Sequence, residues 1–580
     1  MMDTVSRRCP LKKKCIRSLP VITAAVLFLL IYGIQILNPL YDAWLYSGND
    51  LTQHYLGYLL YKSSDWSFPI IGKTDRIFWP RGVSVTYTDS IPLVSFILKL
   101  FRQFLPDHFQ LFGIFGFVSF CLMGYFAARL LRHTISNEWF VLIGSVFFVL
   151  APVYLYRLFM HTALSSEWLI LWGLCLGLDC MAARRDPKAL RKRLVETLFL
   201  GFFASSIHIY LLVMVTLSVF SAMLLLFLRG SGIMQRLRIL LWWILYLFVC
   251  VTTIYLFGAF YTNRDSLMAP GLGNYTFNLN GFFNPMGWSR FLPNLSYYGA
   301  GAVNYVGLGV LLLFAAAIVL GIIGALRGHH PDGALKEQKE NQLDRMSFTF
   351  LFLTGIFSFL LSQSPVIAFD GTHYLTLSLP EWLTKAWSIV RDTERFIWTV
   401  IYILMFAAMT VFFHNIRQKR WAVLFLALLL AVQVTDISGP IEERHNRFTT
   451  RMEHTDYDDA TLDALMETGR YAHISFTSNR TENLNLMYTM AEYSLHHDLT
   501  LNMFYVAHDA RLNDAIDMVL EELENGPRDD TIYIFKEQGD GALMQTYASK
   551  LHYYAFDQGY VGVTQEISDL QEVKLSQISD

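Results

Sequence analysis

The sequence predicts an α-helical polytopic membrane protein that ends in a C-terminal α/β domain. Three observations carry that expectation. Of 580 residues, 54% are apolar and only 16% are charged, where a soluble domain carries roughly 25% charge. The apolar residues are gathered into runs of membrane-spanning length. Charge is also split along the chain: residues 441–580 hold 26 acidic and 10 basic side chains, which leaves 22 and 36 for the rest. An ordinary cytosolic enzyme, a disordered chain and a collagen-like fibre are excluded. Neither half offers the basic face that nucleic acid requires, so no nucleic-acid partner is expected.

Residues 1–18 form a basic tail containing RRCPLKKKCIR. The run from Leu19 to Leu37 continues into ILNPLYDAW with no small-x-small cleavage site, and reads as an uncleaved signal-anchor. Further spans are expected near 109–131, 138–157, 161–182, 195–207, 208–228, 237–259, 303–326, 348–364, 394–413 and 421–437, eleven with the first. The transmembrane domain is thus 19–437. The long run 195–228 is divided at the polar SSIHIY stretch, Ser205 to Tyr210.

The segment 89–105 is expected to lie in the interface instead of crossing. Ser95, Lys99 and Arg102 share one face at i, i+4 and i+7, while Leu93, Ile97, Leu100 and Phe104 line the other. Loop charge agrees with that choice. With the N-terminus cytoplasmic, the cluster Arg184, Arg185, Lys188, Arg191, Lys192, Arg193 falls inside, as the positive-inside rule requires. The outer loops are then 38–108, 260–302 and 365–393, residues 328–347 form a cytoplasmic linker, and the acidic domain 438–580 is extracytoplasmic. The expected location is a plasma (inner) membrane.

Within the tail, HISFTS (473–478), LTLNMFYVA (499–507), TIYIFKE (531–537) and HYYAFDQGYVGVTQEI (552–567) read as strands. TENLNLMYTMAEYSLHH (481–497) and ARLNDAIDMVLEELENG (510–526) read as helices. Alternation of the two predicts a small layered α/β domain. It carries no nucleophile elbow, phosphate loop or metal motif. All six cysteines precede residue 251, and their spacing gives neither a disulfide framework nor a zinc motif.

Candidate chemistry concentrates in the first outer loop. Gly48-Asn49 forms a turn, Asp50 opens a helix, and Asp50, Gln53 and His54 share one edge of it at i, i+3 and i+4. A carboxylate just past the first span is placed to take a proton from an attacking hydroxyl or to hold a divalent cation (Mg or Mn) against a phosphate. The same residue also reads as a helix cap. Asp89 in YTDSIPL has the same two readings at the start of the interfacial helix. Further polar points fall on the outer side: Arg157 and His161, His208 and Tyr210, and Arg391, Glu394 and Arg395. Each reads alone as an interfacial anchor; together they offer cations for a phosphate or pyrophosphate. The Asn- and aromatic-rich loop 272–298 reads as an aromatic belt or as a sugar-binding surface. Asn274, Asn294 and Asn479 open glycosylation sequons.

Several stretches resemble the GT-C superfamily of integral-membrane glycosyltransferases. They are GNDLTQHYLGY (48–58), YTDSIPL (87–93), FMHTALSSEW (159–168), the IHIY turn (207–210) and LNMFYVA (501–507). The resemblance covers most of the chain and is nearest to a set of bacterial GT-C-like membrane proteins. It implies a catalytic acid in the first outer loop, matched by Asp50, and a juxtamembrane element, matched by 89–105. It implies a polyprenyl-phosphate-linked sugar as donor, a membrane-lipid environment, and a glycan or lipid acceptor outside the cytoplasm. By location, Arg391, Arg395 and His161 would face the donor phosphate, with Gln53, His54, Asp89, His208 and Tyr210 around the substrate. The loop reads GND where some relatives have DxD, so the metal is left undetermined.

The expected function is therefore a membrane glycosyltransferase acting on a cell-surface glycan or lipid. The alternatives are a non-enzymatic transporter or flippase, which would need charges deep within several spans, and a structural assembly protein that presents the acidic domain.

Overall fold

A computed structural model describes residues 10–48, 50–261, 271–326, 343–363, 365–479, 483–506, 511–536 and 539–575. Most of the 328–347 linker, Cys9 and the last two residues of the Asn479 sequon lie outside them. The chain forms two compact units. One comprises Met1–Pro39, Leu111–Thr252 and Pro270–Arg451; the other comprises Leu40–Gln110, Thr253–Ala269 and Met452–Asp580.

The first unit is helical. Among the described residues, seven helices are long and apolar enough to cross a membrane, or up to eight if the bent pair Lys419–Asp436 and Ser438–Thr449 is one span. Length and apolarity do not confirm the expected eleven crossings, although each expected segment coincides with helix. The physical reasons are local. Glu138–Val149 has 12 residues, about 18 Å of helix, against roughly 30 Å of hydrocarbon. Pro187–Ile207 carries Lys188, Arg191, Lys192, Arg193 and Glu196 in its first three turns. Helix ends follow capping chemistry. Asn137 accepts from the N–H groups of Trp139 and Phe140, and Asp186 from those of Lys188 and Ala189, just before Pro187. The 195–228 run breaks at His208. That residue is extended (φ −161°, ψ 134°), ends Pro187–Ile207, and caps Ile209–Leu228 by accepting the Tyr210 N–H at Nδ1.

The second unit is built on a five-stranded mixed sheet. Its order is Thr500–Leu501, His473–Phe476, Thr531–Phe535, Gly559–Val563, His552–Phe556; the first three strands are parallel and the last two form an antiparallel hairpin. Helices Leu484–His496 and Arg511–Asn525 fall where the sequence places them. The 499–507 strand is shorter than expected. After Leu501, the Asn502 side chain bonds the Phe476 N–H (2.9 Å) and C=O (3.0 Å), replacing the backbone ladder.

The first outer loop belongs to this unit, a difference from its expected place in the transmembrane domain. Conversely, Ser438–Thr449 belongs to the helical unit, so the division falls after Arg451 and not before residue 438. Leu56, Leu60, Ile77, Phe78 and Val83 from the loop share one buried core with Ile474, Leu486, Met490, Ile532 and Val561. Backbone bonds from Trp79 N to Leu501 O (3.0 Å) and from Leu501 N to Arg76 O (2.8 Å) cover the sheet edge.

The interfacial helix is Pro92–Leu100. Ser95 and Lys99 are buried, whereas Ile97, Leu100, Phe101 and Phe104 are exposed. Its polar face therefore packs on protein and its apolar face looks outward, the arrangement a lipid-facing helix needs. Lys99 Nζ donates to Ser64 Oγ (2.8 Å) and Asp65 O (3.0 Å). Burial, aided by the nearby Arg102 charge, pushes its pKa down to about 7.

Candidate functional site

In the second unit the site is made by two short segments of the outer loop. Asp50 is the first residue of the helix Asp50–Ser63 and stands in its first turn, where an anion is favoured by the helix dipole. The preceding Asn49 lies outside the described residues. Thr52 ties the entry to this helix: its hydroxyl accepts from Gly48 N–H (3.0 Å) and donates to Leu45 O (2.9 Å). Burial pushes the Tyr488 phenol up, and the Asp50 carboxylate adds to that shift, which puts the two groups within electrostatic reach. From Leu51 to Lys62 every residue is buried, including the edge that carries Gln53 and His54. Protein covers all sides of it.

His54 and Asp89 come together. The His54 Nε2 lies 3.6 Å from Asp89 Oδ2, with side-chain exposures of 1% and 17%. Asp89 is not a helix cap, because the cap position is Ile91, which makes no side-chain bond to the helix. Asp89 and Ile91 both have positive φ, 54° and 55°. For a β-branched residue such as Ile91 that region is a genuine outlier, and such strain is concentrated at functional sites. Ser90 fixes the turn by donating to His54 O at 2.6 Å. Gln53 is committed elsewhere, since its Nε2 donates to Tyr505 O at 2.9 Å.

The remaining expected residues belong to the helical unit. His161 precedes the Thr162–Ser165 turn and donates its N–H to Arg157 O at 3.0 Å. His208, Tyr210 and Arg395 form one group. Arg395 lies 4.6 Å from the centre of the Tyr210 ring and is ion-paired with Asp392, whose N–H donates to Tyr210 Oη at 3.0 Å. Arg391 sits 5.5 Å from the Tyr275 ring. The expected phosphate-binding cation at position 395 thus already has a carboxylate partner.

Beside this group, Glu394 and Arg157 form a buried pair at 3.6 Å, with side-chain exposures of 2% and 5%. Glu394 also accepts from the Ala302 N–H (2.9 Å) and the Tyr297 hydroxyl (2.8 Å). The amides of the 272–298 loop are spent on its own backbone: Asn278 donates to Tyr298 O, Asn280 to Ser296 O and Asn284 to Leu295 O. A cavity of about 1450 Å³ in the same unit is lined by Arg184, Arg185, Lys188, Arg191, Leu194 and Trp242 among others, and by none of the expected site residues.

Sequence reasoning missed a histidine–carboxylate group in the second unit, at Asp42, His108, His454, Asp456, Glu492 and His496. The signal was compositional: PDHF, RMEHTD and SLHHD place histidine beside acid three times.

Two family models match the chain. One, described as Domain of unknown function (DUF6311), covers residues 21–438; the other, described as DUF6311 C-terminal domain, covers 461–564. No curated protein matches. Among solved structures, the Archaeoglobus fulgidus oligosaccharyltransferase in its apo form is 12% identical with a TM-score of 0.41, over 96% of this chain and 75% of that one. The same enzyme in complex with Zn and sulfate is 10% identical with a TM-score of 0.36, over 94% and 73%.

Proposed function

We propose that this chain, which belongs to the DUF6311 family, is a membrane glycosyltransferase that moves a sugar from a polyprenyl-phosphate-linked donor to an extracytoplasmic glycan or lipid. The N-terminus is cytoplasmic in this reading and the second unit is extracytoplasmic. The observation that carries it is the His54–Asp89 pair at 3.6 Å, one helical turn beyond Asp50, on strained backbone beside an interfacial helix.

Asp50 takes the proton of the acceptor hydroxyl as the new glycosidic bond forms and the donor phosphate leaves. His54, held by Asp89, orients that carboxylate or the sugar. A divalent cation would supply charge to the leaving phosphate. An imidazole beside a carboxylate suits Mn better than Mg, which prefers an all-oxygen shell. His161, Arg391 and Arg395 are the proposed partners of the donor phosphate; Asp392 and the Tyr210 ring hold Arg395, and His208 lies against Tyr210.

The test is transfer by purified protein supplied with a polyprenyl-phosphate sugar and cell-envelope acceptor. Asp50→Asn should lower turnover by about 10²–10⁴-fold while the protein stays folded, with stability lowered by no more than about 1 kcal/mol. Undiminished transfer removes Asp50 from the mechanism. A transporter or flippase reading draws on the buried charges Arg157, Glu167 and Glu394; lipid translocation without any sugar transfer in the same vesicles would favour it.

A further inference from the structure

The second unit holds a group of metal-ligating side chains that plays no part in the proposed transfer. His108, Asp456 and His496 each present one ligand atom, and the three atoms lie within 4.8 Å of one another. His108 Nε2 and His496 Nε2 are 3.4 Å apart, with ring centres at 5.4 Å and planes at 62°. Two imidazole nitrogens bound tetrahedrally to zinc at 2.0–2.1 Å stand about 3.3–3.4 Å from each other. The observed spacing is the edge of that tetrahedron. Asp456 Oδ1 is 3.9 Å from His496 Nε2, a distance closed by rotating one exposed carboxylate.

The partner behind His108 points the same way. Asp42 Oδ2 lies 3.5 Å from His108 Nδ1, and the Tyr55 hydroxyl fixes that oxygen by donating to it at 2.7 Å. A carboxylate on Nδ1 sets the tautomer that leaves Nε2 as the ligand, as around protein zinc sites generally. A neighbouring group, His454, Asp456 and Glu492, also meets the distance criterion. There His454 Nε2 already contacts Glu492 Oε1 at 2.5 Å, and its ring is stacked on Tyr46 at 3.5 Å. Those two side chains are engaged with each other, so Asp456 is left to the His108 group.

We propose that His108, Asp456 and His496 bind one zinc ion, or a first-row divalent ion of like chemistry, with water completing a four-coordinate shell. The three ligands come from the end of the first outer loop, from the stretch before the helix Ala460–Glu467, and from the last residue of Leu484–His496. His108 and His496 are 388 positions apart. The ion acts as a cross-link between the outer loop and the C-terminal sheet domain inside the second unit.

The experiment uses the full chain in detergent, stripped with EDTA and titrated with zinc chloride and with cobalt chloride. The expected result is one zinc per chain, a zinc-induced rise in melting temperature, and visible cobalt bands of a four-coordinate site. His108→Gln, His496→Gln and Asp456→Asn should each weaken zinc binding at least tenfold. Asp456 and His496 are exposed, so the melting temperatures of their variants in EDTA should match the wild type; His108→Gln also loses its pair with Asp42 and should melt in EDTA as Asp42→Asn does. His454→Gln should bind zinc within threefold of the wild type. The proposal is overturned by the absence of saturable zinc binding, by binding that survives the His108→Gln/His496→Gln double substitution, or by binding lost through His454→Gln alone.

Discussion

His108 and Asp42 show how one pair adds a pH-dependent contribution to the stability of a unit. The hydrogen bond to Asp42 raises the His108 pKa against the opposing effect of burial, with the Asp42, Asp456 and Glu492 charges adding to it. Burial pushes the Asp42 carboxyl up, but the bonds from His108 and Tyr55 outweigh it and hold the group below its usual range. The signs follow from linkage. The His108 contribution is full below its unfolded pKa of about 6.5 and is lost as pH rises through the higher folded value. The Asp42 contribution is full above about 3.9 and is lost as pH falls through its depressed folded value. In EDTA, the stability that Asp42→Asn removes should be largest near pH 5.5 and should shrink as pH rises to 8.5, as read by thermal unfolding of both proteins. The zinc-induced rise in melting temperature should grow over the same pH range, because the ion binds neutral imidazole. The proposed role of Asp50 belongs to the same scale: loss of the charge alone, as in Asp50→Asn, should lower transfer by about 10²–10⁴-fold while circular dichroism stays unchanged and stability falls by no more than about 1 kcal/mol, the share of one helix-end charge.

At the level of elements, the helix Asp50–Ser63 is held by close approach on the side that carries Gly57. A Cβ there would lie 2.5 Å from Thr88 Cβ and 2.8 Å from its Oγ1. Thr88 cannot retreat easily, since its hydroxyl donates to Val85 O at 3.0 Å and contacts Ser90 Oγ at 2.8 Å. Gly57→Ala should therefore destabilise the second unit by about 1–3 kcal/mol, the usual cost of overpacking, and shift the Asp89 turn away from His54. An unchanged midpoint in chemical denaturation would mean that the helix and the turn are not locked together. The interfacial helix Pro92–Leu100 was legible from its spacing because its two faces differ in character. Asp50–Ser63 was legible as a helix from the Gly48-Asn49 turn and the acid that opens it, but its enclosure on all sides was not, because burial by distant residues leaves no mark on local periodicity.

At the scale of the whole molecule, charge and hydropathy speak to topology. The basic cluster 184–193 and the acidic residues 441–580 differ in sign, and basic loops are retained in the cytoplasm. With Cys9 and Cys15 replaced, Ser549→Cys should react with an impermeant maleimide on intact cells, whereas Ser231→Cys should react only after permeabilisation. The opposite pattern would invert the proposed orientation and place the Asp50 loop in the cytoplasm. Among the described residues, seven or eight helices meet the length and apolarity needed for a crossing, against the eleven spans expected from the hydropathy of the sequence. Windowed hydropathy does not register the charged first turns of Pro187–Ile207 or the early end of Glu138–Val149.

The sequence by itself determined the class of the molecule: apolar runs, the break at His208, the helices and strands of the tail, and the two-sided helix after Asp89. These are local properties, fixed by residue periodicity, caps and turn chemistry. Only the tertiary structure decided that the first outer loop shares a core with the C-terminal sheet, that Asp89 faces His54 instead of capping a helix, that Arg395 is already paired with Asp392, and that His108 meets His496. Each of those depends on residues distant in the chain, whose meeting is selected by burial and charge pairing and leaves no periodic trace along the sequence.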